Sequence, residues 1–251
     1  MSHATLASPS VDAAEVAKFA ALAEQWWDPL GSFAPLHKFN PVRLKFIRDT
    51  CIEHFEREEK SLRPFEGLTL LDLGCGGGLL AEPMARLGFD VTGCDAGEET
   101  VHAATLHAER AGLPIAYRCA TAELLASEGA RFDVVLCMEI IEHVPDPREF
   151  IDVTARLLAP GGIIFVATLN KTLKSFALAK IAAEYVLRWL PAGTHDWNRF
   201  LPPRLVCAMI EDAGLRVKEI QGMMFDPLLW NWRLARDTDV NYVVVAEHAK
   251  S

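Results

Sequence analysis

The sequence predicts a doubly wound α/β fold, a mostly parallel sheet with crossover helices on both faces. Three observations carry that expectation. From Leu68 onward, short runs rich in Val, Ile and Leu alternate with segments of helical apolar spacing. The runs are apolar on both faces, as strands covered on both sides must be. The first of them, LLDL, runs into Gly74-Cys75-Gly76-Gly77-Gly78 just before a helix, the strand–loop–helix order of a nucleotide-binding turn.

Taken in order, strands are expected at Thr69–Leu73, Asp90–Cys94, Ile115–Cys119, Phe132–Cys137 and Ile163–Thr168. Between them, apolar spacing predicts helices over Leu79–Leu87, Glu98–Ala111, Ala122–Ser127 and Arg148–Leu158. Gly112, Gly129 and Gly161-Gly162 punctuate the helix ends as C-terminal caps. A helix at Arg204–Ala213 ends on Gly214. Two last strands, Leu215–Ile220 and Asn241–Ala246, are separated by the long connection Asp226–Asp239.

Two segments stand outside this alternation. Residues 12–60 are expected to form an N-terminal helical lid: a helix near Asp12–Trp26, a turn at Asp28-Pro29-Leu30-Gly31, and a helix from Asn40-Pro41 to about Glu59. Residues 170–202 form a helical insertion whose length points to function rather than closure. Residues 1–11 read as a loose tail. The whole makes a single domain with its core over 68–248.

At 251 residues, 51% of them apolar, with a mean hydropathy of +0.13, the chain is long and apolar enough for one large core and is not wholly disordered. A formal charge of −9 argues against general nucleic-acid binding, which needs a basic excess against phosphates. The six cysteines are scattered, without CxxC or zinc-like spacing, and four fall in or beside strands as small hydrophobes. No secretory signal opens the sequence, so a reducing, cytosolic compartment is expected.

The glycine loop departs from GxGxxG. Gly74 and Gly76 fit the first two glycines, but the third would fall on Leu79. Asp72 stands two residues before the loop, where it would repel a pyrophosphate and suit an ammonium group. Asp95, about twenty residues on, can accept hydrogen bonds from ribose hydroxyls. A ligand with a ribose, an ammonium group and no phosphate fits this set, and S-adenosylmethionine is such a ligand.

On these residues the sequence resembles the class I S-adenosylmethionine-dependent methyltransferases, through LLDLGCGGG, VTGCD, FDVVLCMEIIEHVPDP and LLAPGGIIFVATLN. WWDPLGSFAPLHKFNPVRLKFI, ATLNKTLKSF, AEYVLRWLPAGTHDW and DVNYVV narrow the resemblance to the ubiquinone-biosynthesis O-methyltransferase family over nearly the whole chain. The resemblance implies cofactor contacts at Arg43, Gly74, Asp95 and Met138, and loop geometry adds Gly76. It implies a phenolic acceptor, a polyprenylated catechol or quinol. Other proteins of ubiquinone biosynthesis are possible partners. An alternative is a methyltransferase for another small acceptor, or a cofactor-binding subunit without catalysis.

A free phenol has a pKa of roughly 10, so the acceptor proton must be removed. Glu139, Glu142 and His143 stand at i, i+3, i+4 and would share one face if that segment were helical. Two chemistries remain open. The three can hold a divalent ion, which the resemblance implies to be Mg2+, or His143 can act as general base with Glu142 or Glu139 orienting it. A solvent-facing acidic turn is the plain alternative.

Within the insertion, Leu173–Leu190 has helical spacing. Over Lys171–Leu190, Lys171, Lys174, Lys180 and Arg188 stand against Glu184 alone. A basic helix with apolar sides and a Trp suits the surface of an anionic membrane and is too short and too charged to span one. Peripheral attachment to the inner face of the membrane is the expectation, against the alternative of a helix packed over the substrate pocket or at a dimer contact.

Overall fold

A computed structural model describes residues 10–176, 197–226, 229 and 231–249. The five expected parallel strands all form: β1 (Thr69–Leu73), β2 (Asp90–Asp95), β3 (Ala116–Cys119), β4 (Phe132–Met138) and β5 (Leu158–Leu169). They are followed by β6 (Leu215–Asp226), β7 (Asn231–Ala235) and β8 (Asn241–His248). The strand order is β3-β2-β1-β4-β5-β8-β6-β7, parallel through β5 and antiparallel beyond it. The winding reverses between β1 and β4, so their C-terminal ends open a crevice, the usual ligand position in open α/β sheets.

Alternation along the central strands feeds two cores. Val135 and Cys137 of β4 face one side. There they join α5 (Ala122–Ser127), α6 (Pro147–Ala155) and α8 (Pro203–Asp212) through Leu125, Phe150 and Ile210. Val134, Leu136 and Met138 face the other side, with α2 (Ala34–His54) and α3 (Ala81–Arg86). The remaining crossover helix, α4 (Glu98–Arg110), packs on β2 and β3. Local chemistry starts α6: the Asp146 side chain accepts from Arg148 N and Glu149 N, and Pro147 opens the helix where its missing N–H costs nothing.

The N-terminal residues divide into two parts. α2 is a core element, with Ile47 and Cys51 fully buried and Phe46 edge-on to Phe165 of β5 at 6.2 Å. It begins at Ala34, not at Asn40-Pro41. Pro35 takes the favourable first-turn position, and Pro41 lies inside the helix. Only the stretch up to Phe33 lies over the crevice: α1 (Ala13–Ala20), a 3-10 turn at Ala23–Gln25, and Trp26-Trp27. Asp12 caps α1 and pairs with Arg199 at 2.9 Å, while Ser10 Oγ donates to Glu123. Trp27 Nε1 donates to Gly77 O at 2.8 Å, and its ring stacks on His107 at 3.6 Å. Trp26 stacks on Phe33 at 3.8 Å and lies against the glycine loop.

Two further expectations change. Gly161-Gly162 do not cap a helix but lie inside β5, because a side chain at Gly162 would press on Asp133 O of the neighbouring β4. The connection Asp226–Asp239 contains β7, an edge strand whose one-sided pairing demands little apolar alternation. Of the insertion helix, Leu173–Ser175 forms a single turn, α7, capped by Thr172. The rest of Leu173–Leu190 beyond Phe176 lies outside the described residues, as does the tail up to residue 9.

Gly76 has φ of +53°, and a Cβ there would overlap the indole ring of Trp26. Gly76→Ala is therefore expected to destabilise the protein by two separable effects, the positive φ (about 1 kcal/mol) and the ring clash. In a Trp26→Ala background only the first should remain, and a double-mutant cycle by urea unfolding measures the difference.

Candidate active site

The crevice holds one cavity of about 690 Å³, floored by the ends of β1, β2 and β4 and roofed by α1 and Trp26. The loop after β1 is tied to β2, with Gly74 N and Cys75 N both donating to Cys94 O at 2.7 and 3.0 Å. Asp95 then braces the loop from the end of β2. Its Oδ2 accepts from Gly76 N at 3.1 Å and its Oδ1 from Gly97 N at 2.9 Å. Burial raises the Asp95 carboxyl above the ordinary aspartate range, and these backbone donors oppose that shift.

Asp72 is more exacting. It is 2% exposed, and its Oδ2 is sealed from solvent without a hydrogen-bond partner. Burial, with Asp95 nearby, pushes its pKa up to about 7. A buried carboxylate oxygen aimed into a cavity and left unpaired is costly unless a donor arrives. An ammonium group on a ligand answers that need, and Asp95 offers the acceptor that a ribose would use. The residues present thus fit S-adenosylmethionine, with Met138 at the end of β4 also in the cavity wall.

Arg43 reaches the same cavity from α2. It is 3% exposed, its Nη2 lies 2.6 Å from Glu139 Oε1, and its guanidinium sits on the face of Phe39 at 3.8 Å. Desolvation lowers its pKa, opposed by Glu139.

The expected helical face of Glu139, Glu142 and His143 does not form. The segment after β4 is a turn, with Glu139 at a φ of +59°, and the three side chains take three different partners. Glu139 pairs with Arg43. Glu142, buried, accepts from Thr168 Oγ1 at 2.9 Å, and burial with Glu139 nearby raises its pKa. His143 Nδ1 lies 2.8 Å from Glu15 Oε2 of α1, with Phe19 edge-on at 5.4 Å. Among the described residues no three His, Cys, Asp or Glu side chains come together as a metal site, so the residues as placed do not fit Mg2+.

Burial lowers the His143 pKa, against the opposing pull of Glu15. With Nδ1–H given to Glu15, Nε2 of the neutral ring is an acceptor. The carboxylate against the His143 ring is thus Glu15, not Glu142 or Glu139. No local pattern marks Glu15 or Trp26 as lining this cavity, since Glu15 meets His143 128 positions away and Trp26 meets the glycine loop some fifty positions away. The only sequence signal was the acidic first turn of an amphipathic N-terminal helix.

With this geometry in view, comparison with known proteins is specific. A methyltransferase-domain family model matches residues 44–220. Solved structures with this fold include a magnesium protoporphyrin IX methyltransferase from Synechocystis PCC 6803 with bound SAH. It has a TM-score of 0.61 and 18% identity over 93% of this chain and 94% of that one. A methyltransferase from Clostridium acetobutylicum gives 0.62 at 12% identity, covering 93% and 99%. The fold and the cavity define a class I S-adenosylmethionine-dependent methyltransferase.

Curated relatives narrow this. A ubiquinone biosynthesis O-methyltransferase of Parvibaculum lavamentivorans is 54% identical over 97% of this chain and 96% of its own length. One of Caulobacter vibrioides is 56% identical, covering 97% and 98%. The chain belongs to the ubiquinone biosynthesis O-methyltransferase family.

The Asp72 shift fixes a sign. Its folded pKa of about 7 exceeds the ordinary 3.8, so the native state holds a proton that the unfolded chain has lost, and stability falls as pH rises between those values. Asp72→Asn should flatten that fall, raising Tm relative to wild type at pH 8 but not at pH 4. The same substitution should weaken S-adenosylmethionine binding at least tenfold by calorimetry, the scale of a lost charged hydrogen bond.

Proposed function

We propose that this chain transfers the methyl group of S-adenosylmethionine to phenolic hydroxyls of polyprenylated catechol or quinol intermediates in ubiquinone biosynthesis. The observation that carries the proposal is one cavity shared by a cationic-ligand site and a neutral histidine. Asp72 and Asp95 stand at one end, and His143 opens onto the same space. The near full-length identity to ubiquinone biosynthesis O-methyltransferases supplies the acceptor class.

The cofactor, when bound, supplies an electrophilic methyl on a sulfonium. The chain's task is then to position the acceptor oxygen and remove its proton. Asp72 receives the ammonium group and Asp95 the ribose. Gly74 and Gly76 allow close approach of the loop, and Met138 packs beneath. Arg43 takes the cofactor carboxylate, for which it must share its guanidinium with Glu139. His143, held by Glu15, accepts the phenol proton at Nε2, and a neutral base in a desolvated site needs no metal to do so. Water is kept out by Trp26 and Phe19 above the crevice.

Attachment to an anionic membrane surface through Lys171–Leu190 accompanies this function, because a polyprenyl tail partitions into the bilayer. Among the described residues no helix is long and apolar enough to cross a membrane. Lys174 is paired with Asp237 and Asp239, and Lys171 donates to Asn198 O; Lys180 and Arg188 lie outside the described residues.

Incubation with methyl-labelled cofactor and a panel of prenylated catechols, soluble phenols and amines tests the acceptor class. The label is expected in an aryl ether of the prenylated acceptors, and label confined to amines would refute the proposal. His143→Ala should lower kcat by about 10²-fold or more while leaving cofactor affinity near wild type, and chelator should not change the rate. Lys180→Glu with Arg188→Glu should reduce co-sedimentation with anionic vesicles severalfold, and unchanged sedimentation would remove the membrane role.

A further inference from the structure

The cavity lining also includes a group of apolar side chains that the proposed chemistry does not use. Beyond Arg43 the wall is built by Phe39 of α2, by Met223, Met224 and Phe225 of β6, and by Trp232 of β7. Phe39 stacks on Trp232 at 4.1 Å between ring centroids, and Phe225 leans on the same indole at 5.6 Å. The antiparallel register pairs Phe225 with Trp232, so the β6–β7 hairpin holds two rings side by side across from the helix. The guanidinium of Arg43 lies on the other ring of that stack, Phe39, at 3.8 Å, so the apolar wall begins directly beside the polar groups of the site.

The make-up of this wall selects its occupant. Aromatic faces and two methionines form a surface without side-chain hydrogen-bond partners, apart from the indole N–H. Thioether side chains adapt to an irregular hydrocarbon outline. Trp232 is only partly buried although it stands on an edge strand, and the turn after β6 carries Leu229 at 69% exposure. The hairpin thus offers apolar surface from the cavity to the outside. A polar pocket continuous with such a wall matches an amphiphile, with a hydroxylated ring at one end and a branched hydrocarbon chain at the other.

We propose that Phe39, Met223, Met224, Phe225 and Trp232 form the subsite for the first isoprene units of the acceptor's tail and set the preference for prenylated over tail-free phenols. This inference rests on the O-methyltransferase reading and assigns the residues that recognise its substrate. The β6–β7 hairpin is then a specificity element rather than a mere extension of the sheet.

The test compares full-length wild type with Trp232→Ala, which removes a partly exposed ring, and with Phe225→Ala, which removes the ring paired with it. Acceptors are a catechol bearing two or three isoprene units and the same catechol without them, with methyl transfer and calorimetric binding both measured. In each variant the ratio of kcat/KM for the prenylated to the tail-free acceptor should fall about tenfold, equivalent to 1.4 kcal/mol, with the change in KM. Binding of the prenylated catechol should weaken in parallel. An unchanged ratio in both variants, or equal losses for the two acceptors, overturns the subsite. If wild type binds the prenylated catechol through Trp232 but transfers no methyl to it, the subsite stands and the proposed activity fails. If wild type binds no prenylated catechol, the subsite fails.

Discussion

A carboxylate at the end of β1, cut off from water and left with one oxygen unpaired, sets the terms for everything around it. Asp72 sits in the middle of the sheet, in register with Gly93 of β2 and Leu136 of β4, so neither side chains nor solvent reach it laterally. Such a group is tolerated only where its cost is recovered on binding. Asp95 sharpens the constraint by adding a second acid close by, and together they suit a cationic group, whose arrival favours their charged forms. The glycine loop follows from the same requirement, since its backbone must come near the ligand that these acids attract.

The N-terminal residues act on this site in two ways. α2 is a structural layer, buried along Phe46, Ile47 and Cys51, and it delivers Arg43 and Phe39 from a rigid base. The stretch before it is held by polar pairs, Asp12 with Arg199, Glu15 with His143 and Trp27 with Gly77, and by a buried aromatic cluster of Trp26 and Phe33 against Leu79. It covers the crevice and places Glu15 against His143, so the cover of the cavity and the partner of that ring come from one segment.

Arg43 and Glu139 show how the polar centre is kept ready. A buried guanidinium needs a carboxylate near it, and Glu139 fills that place at the expense of a left-handed backbone. A ligand carboxylate would enter a site where the positive charge is already fixed in direction by Phe39. Beside Arg43 the same cavity is lined by Phe39, Met223, Phe225 and Trp232, so polar and apolar side chains share one space.

Much of the fold was legible because strands apolar on both faces and glycine-terminated helices are local signals. β1 and α5 fall on the expected residues, and the glycine loop, Asp72 and Asp95 were readable from spacing alone. Elements governed by one-sided contact were not. β7 carries too little alternation to announce itself, and Pro41 imitates a helix start that Pro35 already provides. Glu139, Glu142 and His143 line one cavity but share no helical face, because the segment that carries them is a turn. The parallel core follows from backbone periodicity over residues 69–169, and the loop and the two acids from charge and spacing within about thirty residues. Only the tertiary structure decided that His143 answers to Glu15, that Arg43 is held by Glu139, and that Phe39 meets Trp232. Those pairings join side chains far apart in the chain, and burial against the folded sheet is what selects them.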